Sequence, residues 1–230
     1  MRVYLLAHTP EPEKTIAMAA KLCYSPSNIG DLKELVEGAD QGPFINKIIG
    51  LGHSSVLEHA SFTFGVEGIS RATSHQLVRH RVASYSQQSQ RYVKVGSDFE
   101  YVTPDTVAAD DEHKRKYDAA VKLIHSVYSE LVESGVPAED ARFLLPNAAA
   151  TKIIITMNAR ELLHFFTLRC CERAQWEIRD MASDMLKLAR EIVPSIFKGA
   201  GPGCVRGKCT EGEMTCGRPD EIRKKFKNLS

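Results

Sequence analysis

The chain has 230 residues, 30 Lys and Arg against 29 Asp and Glu, a net charge of +1 and 43% apolar residues. That balance argues against a protein that holds nucleic acid through bulk positive charge, and no apolar run approaches the roughly 20 residues of a membrane span. The opening Met1-Arg2-Val3-Tyr4-Leu5-Leu6-Ala7 is too short for a secretory leader, so a cytoplasmic setting with six reduced cysteines is expected.

Met1 to Ala7 reads as a strand. Pro12 to Tyr24 has helical spacing with proline in the first turn, and short helices follow over Ile29–Gly38 and Pro43–Leu51. Ala60 to Glu67 alternates apolar and polar residues as a strand does. A helix is expected over Ile69–Arg79, a strand at Phe99–Val102, and a long amphipathic helix over Asp110–Ser134 that Gly135 and Pro137 stop. Pro137–Leu145 is a short helix, Ala149–Met157 a strand, and Asn158 caps a helix to about Cys171. A further helix covers Ala174–Phe197. The strands and helices do not alternate regularly, which predicts α+β: one domain, an antiparallel or mixed sheet packed on long helices. Its bounds are 1–198, and 199–230 is a Gly/Pro/Cys-rich, basic tail.

The segment Arg79-His80-Arg81-Val82-Ala83-Ser84-Tyr85-Ser86-Gln87-Gln88-Ser89-Gln90-Arg91 holds three arginines and no acid or lysine. Guanidinium forks grip phosphate at two points and serine adds short neutral donors, so an irregular or extended loop here points to a phosphorylated ligand. The plain alternative is a solvated loop. A second group is Asn158-Ala159-Arg160-Glu161, His164 and Arg169: Arg160 and His164 share a helix face, and Glu161 can pair with nearby cations. Arg142 precedes an apolar helix end. Ser55 and Glu58 are spaced as a capping box after His53. His53 and His59, six apart, suit no metal. Cys23, Cys170 and Cys171 read as packed thiols. Cys204, Cys209 and Cys216 are too few to close a tetrahedral site alone, so a metal there needs a second chain, and no metal is assigned. Glycine-rich phosphate loops are absent from the sequence.

Arg79-His80-Arg81, seven residues and then Ser89, with Arg91 two further on, resembles the signature of flavin-dependent thymidylate synthases. His53–His59, Arg142 before Leu145-Pro146, Asn158-Ala159-Arg160, Leu168-Arg169 and Ala174–Ile178 fall in the same order as in that family. The resemblance implies an α+β homotetramer with FAD between subunits, converting dUMP to dTMP with methylenetetrahydrofolate as carbon donor and NADPH as reductant; the charge balance and the lack of long apolar runs lead us to expect no nucleic-acid or membrane partner. It also implies residue roles. Ser55, Glu58, Arg79, His80, Arg81, Gln87, Asn158, Arg160 and His164 face the flavin. Gln76, Arg79, Gln87, Gln88, Ser89, Gln90, Arg91, Arg142 and Arg169 hold dUMP. Arg169 is the catalytic residue, stabilising charge on the uracil without a cysteine nucleophile, and His53 helps position folate and flavin. Gln87 stands where the family favours an acid, His164 where it favours asparagine and Arg173 where it favours histidine. The residues alone leave two other readings open: a nucleic-acid-binding module, and a flavin oxidase or reductase without methylation.

Overall fold

Alternation of apolar and polar residues dictates strand β4: Thr151, Ile153, Ile155 and Met157 are buried while Lys152 and Ile154 between them are exposed. The computed structural model describes residues 1–96 and 99–229. Its strands are β1 (Arg2–His8), β2 (Ser61–Ser70), β3 (Ala83–Gln87) and β4 (Ala150–Asn158), in the sheet order β1-β2-β4-β3. The ladders are antiparallel. Thr9 N–H donates to the Ser61 carbonyl at one end of the β1–β2 pair, and Gly68 lies beside Met1 at the other. Gly68 has φ +74 there, and a Cβ would come within 3.3 Å of Met1 Cα, so glycine suits the position doubly.

Helices α1 (Pro12–Leu22), α2 (Ile29–Val36) and α3 (Gly42–Gly50) come before β2 in the chain, and α4 (Arg71–Leu77) comes after it. Between β3 and β4 come α5 (Asp105–Ala108), α6 (Asp111–Glu133) and α7 (Ala138–Ala141). After β4 come α8 (Ala159–Arg169), α9 (Trp176–Ile192), α10 (Pro194–Phe197), α11 (Gly203–Arg206) and α12 (Pro219–Lys227). Among the described residues no helix is long and apolar enough to cross a membrane.

The chain divides into two compact units, and every strand gives residues to both. The first unit comprises Met1–Arg2, Val66–Arg79 and Tyr85–Ile154. Its core is Val66, Ile69, Leu77, Val121, Tyr128, Ala149 and Ile153, with the Tyr128 hydroxyl accepting from Val95 N–H at 3.1 Å. The second unit comprises Val3–Gly65, His80–Ser84 and Ile155–Ser230. Phe62, Phe166 and Phe197 meet there edge to face, with ring centroids 5.5 and 5.9 Å apart, and Phe165 adjoins Phe166. Each such ring, fully buried, contributes on the order of 1.5–3 kcal/mol by transfer alone.

Several elements depart from sequence expectation. The helix expected from Ile69 begins at Arg71, because β2 runs on to Ser70, whose hydroxyl accepts from Thr73 N–H as an N-cap. The expected loop between Arg79 and Arg91 contains β3, whose exposed Ser84 and Ser86 alternate with half-buried Ala83, Tyr85 and Gln87. The Phe99–Val102 strand reduces to one bridge, Tyr101 to Ala149. Pro137–Leu145 splits into α7 and a 3-10 turn at Arg142–Leu144. The expected helix to Phe197 breaks at Val193, because Pro194 disfavours α geometry at the residue before it. Ser55 and Glu58 form no capping box: the 3-10 turn Ser55–His59 is preceded by Ser54 and has no side-chain cap. Cys23 is exposed, not packed. Residues beyond Gly199 fold into α11 and α12, and Ile222 and Phe226 are buried.

Candidate functional site

In the second unit the site is built on α8. Asn158 caps it, its Oδ1 accepting from Glu161 N–H at 2.9 Å. The cap sets Glu161 in the first turn, where the positive end of the helix dipole favours a carboxylate. Arg169 ends the same helix, where a cation is favoured. His80 is buried with both ring nitrogens engaged: Nδ1 lies 3.0 Å from Glu161 Oε1, and Arg169 Nε donates to Nε2 at 3.0 Å. An arginine N–H can only donate, so Nε2 is an acceptor and the proton sits on Nδ1, facing the carboxylate. His80 is therefore neutral. Burial, above all, pushes its pKa below 6.5; the Glu161 bond opposes the shift, and the Arg169 charge adds to it. Phe165 packs edge-on to the ring at 4.9 Å and His164 lies 5.8 Å away.

Next to this relay is a cleft of about 390 Å³ lined by Glu58, Val82, Asn158, Arg160, Glu161 and His164. The 3-10 turn brings Glu58 to Arg160, and the two form an ion pair. Arg160 and His164 both line the cleft, as their spacing on one helix face requires. Arg81 is exposed, with no side-chain partner among the described residues, and the same holds for Arg79, on the other side of His80 in sequence. Ser55 is exposed at the start of its turn, and His53 meets Tyr24 edge-on at 6.2 Å.

The first unit holds a different cavity, of about 270 Å³. Its lining includes Arg71, Gln88, Ser89, Gln90, Glu100 and Lys152. The segment is shaped by its own bonds: Gln88 N–H donates to the Lys152 carbonyl, and Ser89 Oγ accepts from Arg91 N–H. Gln87 Nε2 donates to Thr151 Oγ1 at 3.3 Å. Glu139 gathers two of the expected arginines, with an ion pair to Arg91 and a carbonyl that accepts from Arg142 Nε at 3.0 Å. Gln76 is half-buried on α4.

Sequence reasoning missed Arg71. Its Nη2 donates to the Gln88 carbonyl at 3.0 Å, while its buried Nε has no partner. Burial first, then the nearby Arg142 charge, lowers its pKa. No motif marks it; the signal is a lone cation opening a helix after an apolar strand. The expected substrate-side residues Gln76, Gln87–Arg91 and Arg142 belong to the first unit, and Arg169 to the second.

The cysteines divide by burial. Cys170 is fully buried and its thiol is pushed up to about 12, chiefly by desolvation; burial also raises Cys171 and Cys204. Such thiols are poor nucleophiles. Among the described residues no group of three or more His, Cys, Asp or Glu is arranged to hold a metal ion.

The family model described as "Thymidylate synthase complementing protein" matches residues 4–195. A flavin-dependent thymidylate synthase of Geobacter sulfurreducens is 58% identical over 231 residues, covering 100% of each chain. The enzyme of that name from Pyrococcus furiosus is 44% identical over 239 residues, covering 100% of this chain and 98% of its own. Among solved structures, a UMP/dUMP methylase, PolB, from Streptomyces cacaoi, bound with 5-Br dUMP, superposes with TM-score 0.74 at 26% identity, over 86% of this chain and 93% of its own.

Proposed function

The chain belongs to the flavin-dependent thymidylate synthase family, and from that membership we propose that it methylates dUMP to dTMP with FAD as its resident cofactor. The finer reading adds methylenetetrahydrofolate as carbon donor and NADPH as reductant. The observation that carries the methylation of dUMP is the Arg169–His80–Glu161 relay beside a cleft, in a chain whose Cys170, next to Arg169, is buried and kept protonated. The methylase PolB, with a brominated dUMP bound, supports the choice of nucleotide.

The donor set suits FAD. Arg79 and Arg81 bring guanidinium groups with no acid beside them, matched to a diphosphate, and the cleft offers Asn158, Arg160 and His164 as polar partners for a ring system. Ser55, Glu58 and Gln87 complete that side, and His53 positions flavin and folate. Bound FAD would supply the two-electron reduction that turns the transferred carbon into a methyl group. The protein's own contribution is to bind, orient and stabilise charge. Gln76, Gln87–Arg91 and Arg142 grip dUMP. Arg169 remains cationic at any working pH and stabilises negative charge on the uracil as N3 loses its proton, which makes C5 nucleophilic without an adduct at C6. Residues 1–198 perform the catalysis and 199–230 buttress them. Val82, which lines the cleft and is exposed, supports completion of the site by another copy in a cytoplasmic homotetramer.

The purified protein should show flavin absorption bands that dUMP perturbs, and should form dTMP from dUMP, methylenetetrahydrofolate and NADPH. The Arg169→Ala variant should lose most turnover. A protein that takes up no FAD and forms no dTMP refutes the function. Full activity in the variant refutes the role of Arg169. NADPH oxidation with no need of dUMP and no dTMP would identify an oxidase instead.

A further inference from the structure

We propose that the buried His80–Glu161 pair is a positioning device that fixes the guanidinium of Arg169 from its Nε edge. The inference rests on the reading of Arg169 as the uracil-activating residue. The chain of bonds has one consistent proton arrangement. Glu161 is held by the cap of α8 and accepts from His80 Nδ1–H; His80 Nε2 then presents a lone pair, and Arg169 Nε–H donates to it. Glu161 and Arg169 lie eight residues apart on one helix, about 12 Å along its axis, with His80 hydrogen-bonded to both. The imidazole thus ties the last turn of the helix to its first.

Three further observations support the device. The His80 side chain is only 4% exposed and wedged against Phe165, so the ring has little freedom to turn. Both ring nitrogens are used within the chain, so His80 acts through Arg169 and is a positioning residue, not a catalytic one. Its neutrality is also essential: an imidazolium would turn N–H against N–H at the 3.0 Å contact and add a positive charge beside Arg169. The charged and titratable groups that face the ring are Glu161, Arg169 and His164. Arg79 and Arg81, its neighbours in sequence, remain exposed, so a motif that reads as three equal donors is two surface cations around one buried orienting ring.

Two near-isosteres separate the halves of the relay. In His80→Gln the side-chain oxygen falls near the Nε2 position and can accept from Arg169. In His80→Asn the shorter amide reaches the Nδ1 position, keeping the partner for Glu161 and losing Arg169. With turnover measured per bound flavin, H80N should lower kcat about tenfold or more with KM for dUMP within about threefold, and H80Q should recover most of kcat. Two-bond proton–nitrogen NMR on the wild-type protein, which needs no variant to fold, should show Nδ1 protonated and Nε2 bare at about pH 7.5. An H80N enzyme with wild-type kcat per flavin, equal losses in H80N and H80Q, or protonated Nε2 in the wild type would each overturn the proposal. A wild-type protein that makes no dTMP at all would instead remove the functional reading beneath it.

Discussion

Replacing Arg71 with methionine tests the first-unit cavity as the nucleotide side. The methionine keeps most of the aliphatic bulk and removes the guanidinium. Two opposing effects can be sized from the structure. The Nη2 bond to the Gln88 carbonyl, 3.0 Å long, is charge-assisted but exposed, and contributes about 1.5 kcal/mol, the low end for a charged donor, to holding the Gln88–Gln90 segment. Against that, the variant removes a buried Nε with no partner and a cation that faces Arg142, each unfavourable without an anion. Stability without ligand should therefore change by less than about 1 kcal/mol, because the gain and loss largely cancel. A bound phosphate would satisfy both frustrated features at once, so the full cost appears only with dUMP. KM for dUMP should rise about tenfold or more, since 1.4 kcal/mol is a factor of ten, with kcat nearly unchanged. Steady-state dTMP formation gives that split. Thermal unfolding gives a second measure, because saturating dUMP should raise Tm in the wild type and much less in R71M. An unchanged KM, or a fall in kcat alone, would refute the assignment of this cavity to the nucleotide.

Two other predictions concern buried groups of the second unit. Cys170→Ala should leave kcat within about twofold and cost about 1 kcal/mol of stability, because a fully buried thiol raised to about 12 is packing and not a nucleophile; a collapse of turnover with FAD still bound would reinstate a cysteine mechanism. The pH dependence has a definite sign. The folded-state pKa of His80 is depressed below 6.5, so its contribution to stability is fully present above about pH 6.5 and is lost as pH falls through the folded value. Urea unfolding at several pH values should show the wild type losing more stability on acidification than H80Q, and parallel losses would show that His80 does not titrate as described.

Much of the fold was legible because its signals are local. Asn158 announces α8 through its side chain, Asp110 caps α6 by accepting from His113 N–H, and Gly135, with φ +97, ends it. The failures lie where tertiary pairing overrides local pattern. Ser84 and Ser86 read as loop donors, yet β3 takes its bonds from the edge of β4, which lies more than sixty residues away. The tail is marked in the sequence only by its Gly/Pro/Cys-rich, basic composition, yet Arg190 donates to the carbonyls of Phe197, Ala200 and Leu229, and Phe226 fills the space that Gly201 leaves open. A Cβ at Gly201 would stand 2.8 Å from the Phe226 ring, so that glycine is packing and not linker.

The site divides along the same line. Arg79, His80 and Arg81 are contiguous, so sequence assigns them one chemistry. Burial then separates them: the two arginines are exposed, while His80 is buried against α8, where its ring nitrogens meet Glu161 and Arg169. Nothing local in Arg-His-Arg encodes that division; it comes from partners 81 and 89 positions away. The apolar ring of Phe165 beside the imidazole excludes water, and exclusion of water makes a neutral histidine the stable form. Had the same histidine been exposed, it would titrate near 6.5 and would offer Arg169 no fixed acceptor on the acid side of neutrality. The orientation of the proposed uracil-activating arginine thus depends on an aromatic contact that carries no charge.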